Sequence, residues 1–142
     1  MNWEFRVWDL ARQKMLKAEK VEVSRIETAV KVLLPGGIKT LINSKRNPTD
    51  KKFLLMESSG ITDKNGEMIF SEDILSIKGS KAVTYYQPEK AAFVVRELGV
   101  TGQEKLLVDV KNDAEVIGNV YENPEMLRGR RKAVERKAES TT

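Results

Sequence analysis

Three carboxylates close together in the chain, Glu67, Glu72 and Asp73, are the residues best suited to acid–base work or to holding a divalent cation. The chain has no histidine and no cysteine, so imidazole and thiolate ligands and the usual nucleophile–base pairs are absent. Carboxylates can act without histidine, which keeps an enzyme resting on these three residues in view. Nearby, Asp63-x-Asn65-Gly66 resembles the start of a calcium loop, but its glycine comes too early for that geometry. Paired carboxylates for hydrolysis need a set separation across a cleft, which closeness in sequence does not provide. Turn capping and surface solvation are therefore the preferred roles, and no catalytic residue, cofactor or metal site is expected.

A second chemistry is offered by Arg128, Arg130, Arg131, Lys132, Arg136 and Lys137. Arginine forks suit phosphate oxygens, and a basic cluster gains affinity for nucleic acid by releasing counterions. No aromatic residues are interleaved here to stack on bases. A solvated or partner-docking helix is the competing reading and is preferred. Lys45, Arg46, Lys51 and Lys52, in the polar stretch 43–52, could assist an anion contact, although exposed loops often have this composition. Gly36-Gly37 invites a phosphate-loop reading, but no Gly-Lys-Ser/Thr and no helical pattern follows, so a turn after Pro35 is expected.

The elements that must position these groups read as β. Phe5 and Val7 alternate with Arg6 and Trp8 in the period-two pattern of a half-buried strand. Trp8 falls on the polar side of that pattern, yet its size favours burial. A turn over Asp9–Lys14 leads to segments 20–26 and 29–34. Asp63, Lys64, Asn65 and Gly66 separate Leu54, Leu55 and Ile61 from Met68, Ile69 and Phe70, a hairpin in which Asn65-Gly66 would supply positive φ angles. Ile74, Leu75 and Ile77 give another strand, ended near Gly79. Runs 82–86 and 91–98 flank Gln87–Lys90 as a second hairpin. After a last strand over 114–120, Asn123 is placed to cap a helix, Pro124 suits its first position and Glu125 complements its dipole.

Size and charge set the frame. At 142 residues the chain suits one domain over 1–127 with a basic C-terminal end over 128–142. The net charge of +4 is unevenly placed: residues 128–142 hold six basic and two acidic side chains, leaving 19 of each in the body. No apolar run reaches the length of a membrane span, and the charges in the first residues do not fit a secretory leader, so a cytoplasmic protein without a membrane association is expected.

Three blocks then combine. They are Phe5-Arg6-Val7-Trp8-Asp9; Ser59-Gly60-Ile61-Thr62-Asp63-Lys64-Asn65-Gly66-Glu67 continuing through Phe70 and Asp73-Ile74; and Val116-Ile117-Gly118-Asn119-Val120-Tyr121-Glu122-Asn123-Pro124-Glu125. In order and spacing the chain resembles the YopX-like proteins of bacteriophages and prophages. Two departures stand out: Ser59 replaces a threonine, and Ser71-Glu72 replaces Glu-Gly before the aspartate. Losing that glycine bears on any tight backbone turn there. The basic end lies outside the shared pattern. The resemblance implies a β-rich phage or prophage protein of the bacterial cytoplasm, with no activity assigned to particular residues.

The combined expectation is a mainly antiparallel β fold, as a partly open small barrel or paired sheets, with one C-terminal helix. Asn65, Gly66, Asn123 and Pro124 are expected to be structural. The expected function is a non-enzymatic binding or assembly module, a homo-oligomer because many short strands leave edges to cover, with a phage or host protein as a further partner. A nucleic-acid-associated protein using the basic end is the alternative.

Overall fold

The structure, a computed structural model, describes residues 4–23, 30–42, 53–99 and 103–127. The basic residues singled out above, both those between 45 and 52 and those from 128 on, lie outside them. The chain divides into two compact units, Met1–Ser58 and Ser59–Thr142. The described elements are mainly β, joined in antiparallel sheets, with helical residues at 124–127, as the sequence predicts.

In the first unit, β1 (Phe5–Asp9) pairs with β2 (Lys14–Lys17). Next, β3 (Lys20–Val23), β4 (Val30–Leu34) and β5 (Ile38–Ile42) form a three-stranded meander. The other flank of β1 pairs with the start of β6 (Phe53–Thr62). The β1–β2 turn is built by Asp9, whose Oδ1 accepts the N–H groups of Ala11 and Arg12 at 3.1 Å each. The turn after Pro35 is confirmed by left-handed Gly36 and Gly37, at φ +86° and +76°, a region open to glycine at no steric cost. β2 and β5 escaped the sequence reading because each is short and lacks a clean alternation. Val7, Val32 and Leu34 form this unit's core, with Leu16, Val21, Phe53 and Leu55 packed on it. Trp8 is 4% exposed, so size outweighed its place in the alternation.

In the second unit, β6 ends in the expected hairpin with β7 (Met68–Phe70). A five-stranded antiparallel sheet follows, built from β8 (Asp73–Ile77), β9 (Ser80–Gln87), β10 (Ala92–Glu97), β11 (Glu104–Leu106) and β12 (Ala114–Asn119), in the order β11-β10-β9-β8-β12. A helical turn, α1 (Leu107–Val110), links β11 towards β12. Register places Leu75 opposite Ala82 and Val116, and Ile77 opposite Ala114, so these apolar side chains share one face of the sheet. Ile69, Leu75, Ala82, Val95, Leu107 and Ala114 form the core there. Thr84 is buried among them without penalty because its hydroxyl donates to the Val94 carbonyl at 2.8 Å.

The tight primed turn lies in another hairpin than the Asn65-Gly66 one from which positive φ angles were expected. Between Ile77 and Ser80 the loop is two residues long, and both Lys78 (φ 49°) and Gly79 (φ 85°) are left-handed. That is the tight primed turn that matches strand twist. In the Asp63–Gly66 loop only Gly66 has a positive φ, at 82°. Asn65 does not share it, and the expected pair of positive φ angles is corrected to one.

Candidate functional site

Asp63 anchors the β6–β7 loop. Its side chain reaches back so that Oδ1 accepts the N–H groups of Asn65 (2.8 Å) and Glu67 (2.9 Å), while Oδ2 accepts that of Val116 on β12 (2.9 Å). Lys64 adds a backbone bond, its N–H donating to the Ala114 carbonyl at 2.9 Å. The loop thus covers part of the free edge of β12. Burial pushes the Asp63 carboxyl up, but the N–H donors of Val116, Glu67 and Asn65 outweigh it and hold the group below its ordinary value. The aspartate in the calcium-like D-x-N-G string is therefore a turn anchor.

The segment after β12 is held in the same manner. A bulge between Val116 and Gly118 re-aims the strand end. Asn119, 6% exposed, accepts the N–H groups of Tyr121 (3.1 Å) and Glu122 (2.8 Å). Asn123 Oδ1 accepts the Asn119 N–H at 3.2 Å. Pro124 takes the first helical position. A Cβ on Gly118 would lie 2.4 Å from Asn123 Oδ1, so the glycine makes room for the asparagine.

The three carboxylates proposed for chemistry have separate surroundings. Glu67 is exposed, Glu72 half-buried and Asp73 only 1% exposed, with Asp73 Oδ2 accepting the Phe70 N–H at 2.8 Å. Glu72 has a φ of 70°, so this chain keeps the left-handed turn without the glycine found in the resembling pattern. Its N–H donates to Thr84 O and its carbonyl accepts the Val120 N–H, which ties the turn to β9 and to the end of β12. Tyr121 is pushed up in pKa by burial first and then by the Glu72 carboxylate. Among the described residues no three acidic side chains gather where they could hold a metal ion.

A denser polar cluster, missed by the sequence reading, surrounds Glu104. Its Oε1 accepts from Tyr85 Oη (2.5 Å), Gln87 Nε2 (2.9 Å) and Arg96 Nη2 (3.3 Å), and Lys90 Nζ lies 3.3 Å from Oε2. The side chain is 12% exposed. The Tyr85 hydroxyl holds the carboxyl below its ordinary value, working with Gln87 and Lys90 against burial. In turn, burial and then the Glu104 carboxylate raise the Tyr85 phenol. The only sequence signal was the two-residue spacing of Tyr85 and Gln87, which puts both on one face of β9. Their partner enters from β11, beyond the reach of periodicity. With four donors on one carboxylate, the cluster fastens a three-residue edge strand and leaves little capacity for a ligand.

The opposite face of the same sheet holds an open groove of about 250 Å³. Its floor is Ile77, Ala82, Val95 and Val110, an extension of the second core. Lys78 and Lys105 bring positive charge to its walls, Glu97 negative charge, and Ser80 and Gln103 neutral polar groups. In the first unit a depression of about 310 Å³ is lined by charges of both signs, among them Lys17 and Glu4, whose nearest atoms are 4.0 Å apart. The groove, with an apolar floor and a few polar groups, has the composition of a binding site. No helix among the described residues is long and apolar enough to cross a membrane.

Comparison with known proteins now places the fold. The chain is similar to protein EF1440 from Enterococcus faecalis, known from its crystal structure, with a TM-score of 0.60 and 21% identity over 89% of this chain and 99% of that one. At that identity the likeness speaks for the fold alone. No curated protein matches the chain. The model of the family described as YopX protein matches residues 4–128, which takes in the Asp63 loop, the Glu104 cluster, the groove and the Asn119–Asn123 segment alike; the chain belongs to the YopX family.

Proposed function

We propose that this protein is a non-enzymatic binding or assembly module of phage or prophage origin, acting as a homo-oligomer in the bacterial cytoplasm. The observation that carries this reading is the use of the buried polar groups. Asp63, Asp73, Asn119 and Glu104 each spend their acceptor capacity on turns or strand edges, whereas the groove holds an apolar floor and charged walls open to a ligand. Light scattering on the full chain over a range of concentrations tests it. One defined oligomer is expected throughout, and a monomer at every concentration would overturn the assembly half. Measurable turnover abolished by changing one carboxylate would overturn the non-enzymatic half.

The charge asymmetry supports a second reading, a nucleic-acid-associated protein using Arg128, Arg130, Arg131, Lys132, Arg136 and Lys137. It expects retention on mixed-sequence DNA at low salt that weakens steeply as salt rises and disappears when residues 128–142 are removed. Undiminished retention after removal would exclude that stretch.

A further inference from the structure

We infer that the groove of the second unit takes a small aliphatic carboxylate, with Lys105 as the anchor of the carboxylate and the Ile77–Val95–Val110 floor as the seat of the aliphatic part; this deepens the binding reading above and rests on it.

The depth of the groove comes from small side chains. Ser80 and Ala82 occupy successive positions on the core face of β9, where larger residues would fill the space between Ile77 and Val95. What remains, about 250 Å³, lies just below the usual range for drug-sized ligands and suits a short branched or linear chain. The polar walls choose the head group. Lys105 stands opposite Val95 in the register, so it belongs to the same face as the floor. Among the described residues no carboxylate is within ion-pairing distance of it. Lys78 is 3.7 Å from Asp113, with both side chains well exposed, so it adds positive potential without being fully neutralised.

Among the described residues that line the groove, Lys78 and Lys105 stand against the carboxylate of Glu97, and with Asp113 partly offsetting Lys78 the balance suits an anion of no more than one charge. A phosphate is the poorer fit, because the described residues that line the groove include neither an arginine fork nor a helix N-terminus. A nucleobase is also disfavoured, since the described residues that line the groove include no aromatic side chain to stack on. The same aliphatic carboxylate is carried by an amino-acid derivative and by a fatty acid.

Residue-resolved amide NMR on the full chain tests this with probes that separate head from body. N-acetyl-leucine carries both parts, leucinamide lacks the carboxylate, acetate lacks the body, and octanoate represents the fatty-acid source. Saturable shifts at Ala82, Val95 and Lys105 are expected with N-acetyl-leucine or octanoate, with a dissociation constant of about 1 mM for so small a contact; which of the two binds more tightly identifies the source. Leucinamide and acetate are expected to leave those amides unmoved. Lys105→Gln should weaken binding about fivefold through loss of one exposed charge pair, Glu97→Gln should strengthen it, and Ser80→Leu should abolish it while the rest of the spectrum stays folded.

Equal binding of leucinamide, weakening by Glu97→Gln, or no saturable shift with either carboxylate would overturn the inference. Light scattering is expected to be the same with and without probe. Failure of the groove titration beside an intact oligomer would therefore remove only this inference, and loss of the oligomer beside an intact titration only the assembly reading.

Discussion

Asp63 shows how much one side chain can hold. Its carboxylate satisfies three backbone N–H groups, two inside its own loop and one on β12, and charge-assisted bonds of this kind are stronger than neutral ones. Asp63→Ala leaves those donors to compete for water in a site that is 5% exposed. A loss of about 2–3 kcal/mol in urea unfolding is expected. Asp63→Asn should cost nearly as much, because its amide NH₂ must face one of the N–H donors. The same residue sets an acid limit. Its folded pKa lies below the ordinary 3.8, so the stability it contributes is complete above 3.8 and is lost as pH falls through the lower folded value. Glu104, also lowered, from 4.5, acts in the same direction. Tyr85 and Tyr121 are raised above 10.0, so their contribution is complete below 10.0 and is lost as pH rises beyond it. Unfolding midpoints across pH should form a plateau that falls at both ends, and Asp63→Ala should flatten the acid side. A variant that falls as steeply as the parent would remove Asp63 from that role.

At the scale of elements, the two hairpins separate what sequence reveals from what it hides. Asp63–Gly66 read correctly as a chain reversal, but Asn65-Gly66 was credited with a turn that the Asp63 side chain builds. The true two-residue primed turn sits at Lys78-Gly79, where lysine disguised it. An L residue with a Cβ at a φ of 49° is strained, and asparagine tolerates that region better. Lys78→Asn should raise stability by about 0.5 kcal/mol, since the ion pair it gives up with Asp113 is exposed at both ends and worth little. A thermal melt that falls instead would mean that this pair outweighs the backbone strain. The Val116–Glu125 block was legible as strand, turn and helix start, yet its internal logic was not. Asn123 turns back towards β12, and Gly118 leaves it the space. Gly118→Ala should cost about 1–3 kcal/mol by overpacking, and Asn123→Ala in the same chain should recover part of that loss. Simple additivity in the double-mutant cycle would argue against the contact.

Across the whole molecule, alternation and turn residues revealed a β protein because they are local signals, each read within a few positions. The two cores and the groove were beyond that reach. Ile69, Leu75, Ala82, Val95 and Ala114 meet only when five strands align, and Ser80 and Ala82 look like ordinary small residues until register sets them beside Val95. The Glu104 cluster likewise needs three strands. Charge is a different kind of property, additive over the chain and independent of register, and it is fully legible from sequence. The body through Leu127 balances 19 basic against 19 acidic residues, and the whole surplus of four lies beyond it. Long-range electrostatics should therefore be separable from folding. A chain ending at Leu127 should keep its unfolding free energy to within about 0.5 kcal/mol, because residues 128–142 carry only Ala133, Val134 and Ala138 as apolar side chains. Its solubility minimum should move from near the full chain's pI of 9.3 to near neutral pH, where a body without net charge associates most readily. Isoelectric focusing and urea titration of both chains check the two halves together. A shifted isoelectric point with unchanged stability would make the basic end an electrostatic appendage to a self-sufficient fold, whereas a large stability loss would make it part of that fold's packing.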